Sequence, residues 1–96
     1  MDGLDCGLFT LHLTEEYHLI WELLDFKTYP YSLKIKKEIY KCFKGNAQQI
    51  QSTHILLGKE FSNLAHRFLC GRKVDIIASH GQTVAHIDGK STLQIG

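Results

Sequence analysis

This chain has no run of about 20 apolar residues, so no membrane-spanning helix is expected. Nor does it open with a basic segment leading into an apolar one, so no secretory signal is expected. Cysteine is sparse: Cys6, Cys42 and Cys70 are odd in number, far apart and without CxxC spacing. Neither a disulfide framework nor a zinc knuckle is indicated, and a reducing cytoplasm fits best. An excess of charge of one sign is lacking as well. Eleven Lys and Arg against 10 Asp and Glu leave a net charge of +1, so no large field draws the chain to nucleic acid or a membrane surface.

What is present is ordinary globular material. Hydrophobic residues make up 44% of the 96 and charged residues 22%, which argues for a packed core and against disorder. The length allows one small domain or a piece of a larger one. A domain this small buries a modest fraction of its surface, so support from a partner or from further chain is expected. Lys34, Lys36, Lys37, Lys41 and Lys44 form a local basic cluster, read as the solvated face of one helix.

Leu4 to Leu13 is apolar on both faces, with Leu4, Cys6 and Leu8 against Phe9, Leu11 and Leu13, which predicts a strand covered on both sides. Tyr17 to Phe26 resumes even spacing after Thr14, Glu15 and Glu16, so the two segments predict an antiparallel hairpin. Pro30, the sole proline, breaks the pattern, and Ser32 is placed to cap a helix carrying the stripe Ile35, Ile39, Cys42 and Phe43. Gly45 and Asn46 end it. Ala47 to Cys70 predicts the longest helix, with Leu57, Phe61, Leu64 and Phe68 on its apolar face. Gly58 inside it suggests close backbone packing or plain tolerance, and Gly71 supplies the stop. Val74 to Ser79 reads as a buried strand joining the first hairpin, and Val84 to His86 with Thr92 to Ile95 as a second hairpin turning at Asp88 and Gly89. The expected class is α/β, a mixed sheet with two helices.

Two clusters carry the candidate chemistry. Ser79, His80, Gly81, Gln82 and Thr83 follow the apolar run directly, and the carboxyl end of a strand in an open α/β sheet is where ligands bind. Hydroxyls, an amide head and an imidazole around a glycine suit a polyhydroxylated ligand, or else a tight turn that satisfies its own backbone. At the other end Asp2 and Asp5 surround Gly3, an acidic turn or a group that orients magnesium or a nucleotide. His80 and His86 lack the further ligands that zinc needs, so no metal site is expected.

MDGLDCGL, YPYS, LLGKEF, DIIASHGQTVAH and STLQIG, collinear across nearly the whole chain, resemble the anhydro-N-acetylmuramic acid kinases. SHGQT and TLQIG at short separation are the most specific part. The resemblance implies a cytoplasmic ATP phosphotransferase of peptidoglycan recycling and amino sugar metabolism, with an actin-like ATPase and sugar kinase fold of two lobes around a cleft. Such enzymes open the 1,6-anhydro bridge with water while ATP phosphorylates the 6-oxygen. Family members carry GTSxDGxD; here Met1 aligns with the x, leaving Asp2, Gly3 and Asp5 as the ATP-binding remnant, with magnesium. Ser79 to Thr83 would contact the sugar. No catalytic residue is assigned, because the family's general-base aspartate falls beyond Gly96. Residues 1–96 are thus expected to be a fragment of the N-terminal lobe, inactive alone; no nucleic-acid or membrane partner is implied, and a homodimer is left open. The other reading is a small stand-alone sugar-binding or structural α/β module without catalysis.

Overall fold

Two antiparallel hairpins and a pair of helices make up the computed structural model, which describes residues 2–96. The elements in order are β1 (Gly3–Leu13), β2 (Leu19–Pro30), α1 (Leu33–Cys42), α2 (Ala47–Leu69), β3 (Gln82–Ile87) and β4 (Ser91–Ile95).

β1 and β2 pair from Gly3 opposite Pro30 to Leu13 opposite Leu19. Pro30 closes the ladder, where its missing N–H costs least. Thr14 makes the turn, its N–H donating to the His18 carbonyl at 2.8 Å while its Oγ1 accepts from the His18 N–H at 3.0 Å. Tyr17 therefore lies in the turn, at φ 63°, and not in the strand where its spacing puts it. A register shift sets Leu8 opposite Asp25 but Phe9 opposite Leu23, so Leu24 bulges out of β2. Beyond the bulge Phe9, Leu11 and Leu13 pair with Leu23, Trp21 and Leu19 on one face, while Ile20 lies on the other, opposite His12.

The inner face carries Leu4, Cys6 and Leu8, which pack with Tyr29, Leu64 and Phe68 beneath α2. On the outer face Phe9 meets Trp21 edge-on, with ring centroids 5.9 Å apart. That face is open to solvent, so of the two covers expected for β1 only one exists among the described residues.

Ser32 caps α1, its Oγ accepting from the Ile35 N–H at 3.3 Å, and Asn46 caps α2, its Oδ1 accepting from the Gln49 N–H at 2.9 Å. The stripe Ile35, Ile39 and Cys42 is buried; Phe43 is exposed because the helix has already ended there. α2 buries Thr53, Leu57, Leu64 and Phe68. Phe61 is only partly buried, stacked on Tyr31 with centroids 6.4 Å apart. A Cβ on Gly58 would meet nothing nearer than the Gly96 carbonyl carbon at 3.7 Å, an ordinary contact, so the helix tolerates this glycine and does not need it.

α2 stops at Cys70, which takes the left-handed conformation (φ 50°) before Gly71 does (φ 82°). Arg72 then turns back on the helix end, donating from Nε to the Leu69 carbonyl at 2.9 Å and from Nη2 to the Phe68 carbonyl at 2.5 Å. Its Nη1 pairs with Asp25 at 2.9 Å, tying α2 to β2.

The main core joins Tyr31, Ile35, Ile39, Cys42 and Leu57 to Val84 and Ile95 of the second hairpin. That hairpin turns at Asp88 and Gly89 as expected, with Gly89 at φ 67° and the Lys90 N–H donating to the Ile87 carbonyl at 2.9 Å. The radius of gyration is 16.1 Å, and the principal extents are 48 × 35 × 19 Å. A compact chain of this length has a radius of roughly 12 to 13 Å. The long first hairpin, projecting past the helices, accounts for the difference.

One element departs from expectation. Val74 to Ser79 is not a strand, and the described strands form two separate two-stranded sheets, not one mixed sheet. A strand apolar on both faces needs a hydrogen-bonding neighbour and a covering layer on each side. Among the described residues this segment has neither, and Ile76 and Ile77 stand 77% and 69% exposed.

Candidate functional site

A cavity of about 210 Å³ lies where the start of β1 meets the approach to β3. Gly3, Leu4 and Asp5 form one wall, Ala78 to Gln82 the other, and Tyr31 and Phe61 a floor between them. The two sequence clusters, more than 70 positions apart, thus face one space. Since Val74 to Ser79 is not a strand, Ser79 to Gly81 do not follow the carboxyl end of one; they lead into β3, and the pairing of Gln82 with Ile95 anchors them.

Backbone closeness explains both glycines. A Cβ on Gly81 would lie 2.5 Å from the Ile95 carbonyl oxygen, and one on Gly3 would run into the carbonyl of Tyr29. These positions hold the two walls at their spacing.

The polar side chains are partly occupied. His80 Nδ1 lies 3.1 Å from the Gly81 carbonyl and Gln82 Nε2 donates to the Thr83 carbonyl at 3.2 Å, bonds of the kind a self-satisfied turn makes. With Nδ1 donating, His80 keeps Nε2 as an acceptor, and Gln82 keeps its carbonyl oxygen and a second N–H. The Ser79 hydroxyl has no partner among the described residues. Asp5 accepts from the Thr28 hydroxyl at 2.5 Å through Oδ1, which fixes the carboxylate's orientation.

Burial, and then the carboxylates of Glu60 and Asp5, push the Tyr31 phenol above its ordinary value, so it keeps its proton as a donor. Burial, followed by Asp5, likewise pushes the Cys6 thiol up, which makes it a poor nucleophile.

Two of the residues singled out from sequence do not line the cavity. The Asp2 carbonyl accepts from the Tyr31 N–H at 3.0 Å, and the Thr83 hydroxyl accepts from Gln94 Nε2 at 3.3 Å along the second hairpin. Conversely, Tyr31 and Phe61 line it and were not foreseen as site residues, because Phe61 reads as core material in a helical stripe and Tyr31 as part of the break before α1. YPYS ahead of α1 marked a break but not a cavity floor.

Asp5 is the only carboxylate among the described lining residues, and no Lys or Arg joins it. Magnesium bound by one or two carboxylates together with substrate phosphates leaves a place for such a group. A protein-only metal cage does not fit, since no three His, Cys, Asp or Glu side chains converge among the described residues. Nor is any described helix long and apolar enough to cross a membrane.

The family model described as anhydro-N-acetylmuramic acid kinase matches residues 1–96. Anhydro-N-acetylmuramic acid kinase of Caldanaerobacter subterraneus subsp. tengcongensis is 34% identical over 92 residues, covering 78% of this chain and 23% of its own length. The proteins of the same name from a Cyanothece species and from Bacillus cereus are each 35% identical and match the whole chain, which corresponds to 27% and 28% of their lengths. The chain therefore spans about a quarter of the curated relatives it matches, and it belongs to the anhydro-N-acetylmuramic acid kinase family.

Proposed function

We propose that this chain supplies one wall of the ligand cleft of an ATP-dependent kinase that opens and phosphorylates 1,6-anhydro-N-acetylmuramic acid, within the N-terminal lobe of an actin-like sugar kinase. The observation that carries this reading is the meeting of Gly3 and Asp5 with Ser79 to Gln82 around one cavity. At about 210 Å³ the space is smaller than the roughly 300 to 1,000 Å³ of complete small-molecule sites. It suits part of a ligand, with the remainder of the site supplied by other chain.

The chemistry of the walls favours the sugar over the polyphosphate. Ser79, His80 and Gln82 offer uncharged donors and acceptors, the complement of hydroxyl and amide groups. No described lining residue is a Lys or Arg that would neutralise phosphate. ATP, when bound, supplies the transferred phosphoryl group. Of the nucleotide-side residues Asp2, Gly3 and Asp5, only Gly3 and Asp5 line the cavity, and Asp5, whose Oδ1 accepts from Thr28, is the one with a carboxylate that would hold magnesium there. Thr83 and Asp2 then act on the walls and not on the ligand.

Amide chemical shifts of the labelled chain, followed during titration with 1,6-anhydro-N-acetylmuramic acid, test this reading. Three or four neutral hydrogen bonds at about 0.5 to 1.5 kcal/mol each correspond to affinity around the millimolar level. Saturable shifts at Gly3, Gly81 and Gln82 are expected. Shifts confined to the second hairpin's turn, or none up to tens of millimolar, would contradict it.

A further inference from the structure

Tyr31 is buried, at 6% exposed, yet its hydroxyl has no hydrogen-bond partner among the described residues. Every fully buried side-chain nitrogen or oxygen among those residues has one. The phenol oxygen therefore reaches open space, and the space that Tyr31 lines is the ligand cavity. Its position is fixed from several sides. The ring stacks on Phe61 at an interplanar angle of 19° and shares the main core with Ile35, Ile39 and Leu57. The Tyr31 N–H donates to the Asp2 carbonyl at 3.0 Å, and the next residue, Ser32, caps α1. This donor is in place before any ligand arrives, so engaging it orders no further side chain.

We propose that Tyr31 is a specificity-determining residue of this site: its hydroxyl donates to an uncharged oxygen of the bound sugar and disfavours an anionic group at the same place. The proposal rests on the sugar reading of the cavity and adds a contact that the Ser79 to Gln82 wall does not supply. On that wall Gln82 already donates to the Thr83 carbonyl, and His80 Nδ1 faces the Gly81 carbonyl. The phenol is uncommitted and has one hydrogen to donate. Its surroundings decide what it receives. Burial first, and then the carboxylates of Glu60 and Asp5, hold the proton on the phenol, and no described lining residue is a Lys or Arg. An anion arriving without a cation would meet those two carboxylates with nothing to offset them, whereas a hydroxyl, ether or amide oxygen meets a donor.

Tyr31→Phe keeps the ring and removes only the hydroxyl. Amide titrations of parent and variant with 1,6-anhydro-N-acetylmuramic acid, and in parallel with inorganic phosphate in magnesium-free buffer, test the proposal. With Gly81 and Gln82 as reporters, the sugar's dissociation constant should rise roughly threefold to tenfold, the effect of one neutral hydrogen bond. The urea midpoint should not fall, because the hydroxyl has no partner among the described residues to lose. Phosphate should leave both reporters unmoved in either protein. A sugar constant that Tyr31→Phe leaves unchanged overturns the proposal, while the parent's own binding keeps the cavity reading intact. A lowered midpoint overturns it as well, since the hydroxyl would then be holding the fold. Phosphate shifts at Gly81 that Tyr31→Phe abolishes would make the phenol an anion contact and overturn the selectivity. No sugar shift in the parent removes the cavity reading itself, and this proposal with it.

Discussion

Gly81 lies so close to the backbone of Ile95 that a Cβ would stand 2.5 Å from its carbonyl oxygen and 2.8 Å from its nitrogen. Because the obstruction is backbone and not the end of a flexible side chain, Gly81→Ala must push the approach to β3 away from β4. A destabilisation of about 1 to 3 kcal/mol is expected, the usual cost of forcing extra volume into a packed place. Urea denaturation measures it, and a midpoint equal to the parent's would show that the two strands are not this close.

Leu57→Ala and Phe61→Ala separate the core from the cavity. Leu57 is 0% exposed at the centre of the main core, so its truncation should cost about 2 to 5 kcal/mol. Phe61, with the same helical spacing, has one side on Tyr31 and another toward the cavity, so its loss should cost less than that of Leu57 while altering ligand affinity. Thermal melts and sugar titrations of both variants decide; an equal or larger loss at Phe61 would return it to the core.

That pair also shows what was legible in the sequence. The helical period placed Leu57 and Phe61 on one stripe, which is correct, but a stripe has a centre and a rim, and only tertiary packing distinguishes them. The Ser32 cap, the glycine turn at Asp88 and Gly89 and, apart from Tyr17, the pairing of the first hairpin rest on local chemistry, and they lie where local chemistry puts them; Asn46, read as the end of the first helix, also caps the second. Val74 to Ser79 is the opposite case. Its apolar run reports what the segment needs around it, and a strand forms only where neighbours meet that need. For the candidate site, Gly3, Asp5 and Ser79 to Gln82 were legible as clusters. Their meeting around Tyr31 was not, because it depends on the path of the chain through both helices.

Tyr17 stands in the first turn at φ 63° with its side chain 84% exposed. A left-handed conformation costs a residue with a Cβ roughly 1 to 2 kcal/mol, and glycine avoids this at some entropic cost of its own. Tyr17→Gly should therefore raise stability by about 0.5 to 1 kcal/mol. A lowered melting temperature would mean that the tyrosine ring packs against the hairpin after all.

The central claim is that the Ser79 to Gln82 wall contacts the sugar, and Gln82→Ala tests it most directly. The substitution removes an amide head while leaving the Ser79 hydroxyl, the Gly81 corner and the pairing with Ile95 in place. One neutral hydrogen bond contributes about 0.5 to 1.5 kcal/mol, and more when a buried partner is left unsatisfied. With the amide shifts of Gly3 and Gly81 as reporters, the dissociation constant for 1,6-anhydro-N-acetylmuramic acid should rise roughly threefold to a hundredfold, at about 1.4 kcal/mol per tenfold. The response to ATP with magnesium should stay as in the parent. An unchanged sugar constant, accompanied by a fold weakened by about 1 kcal/mol, would contradict the claim: the bond from Gln82 to the Thr83 carbonyl would then be the residue's whole role, that of a turn satisfying its own backbone.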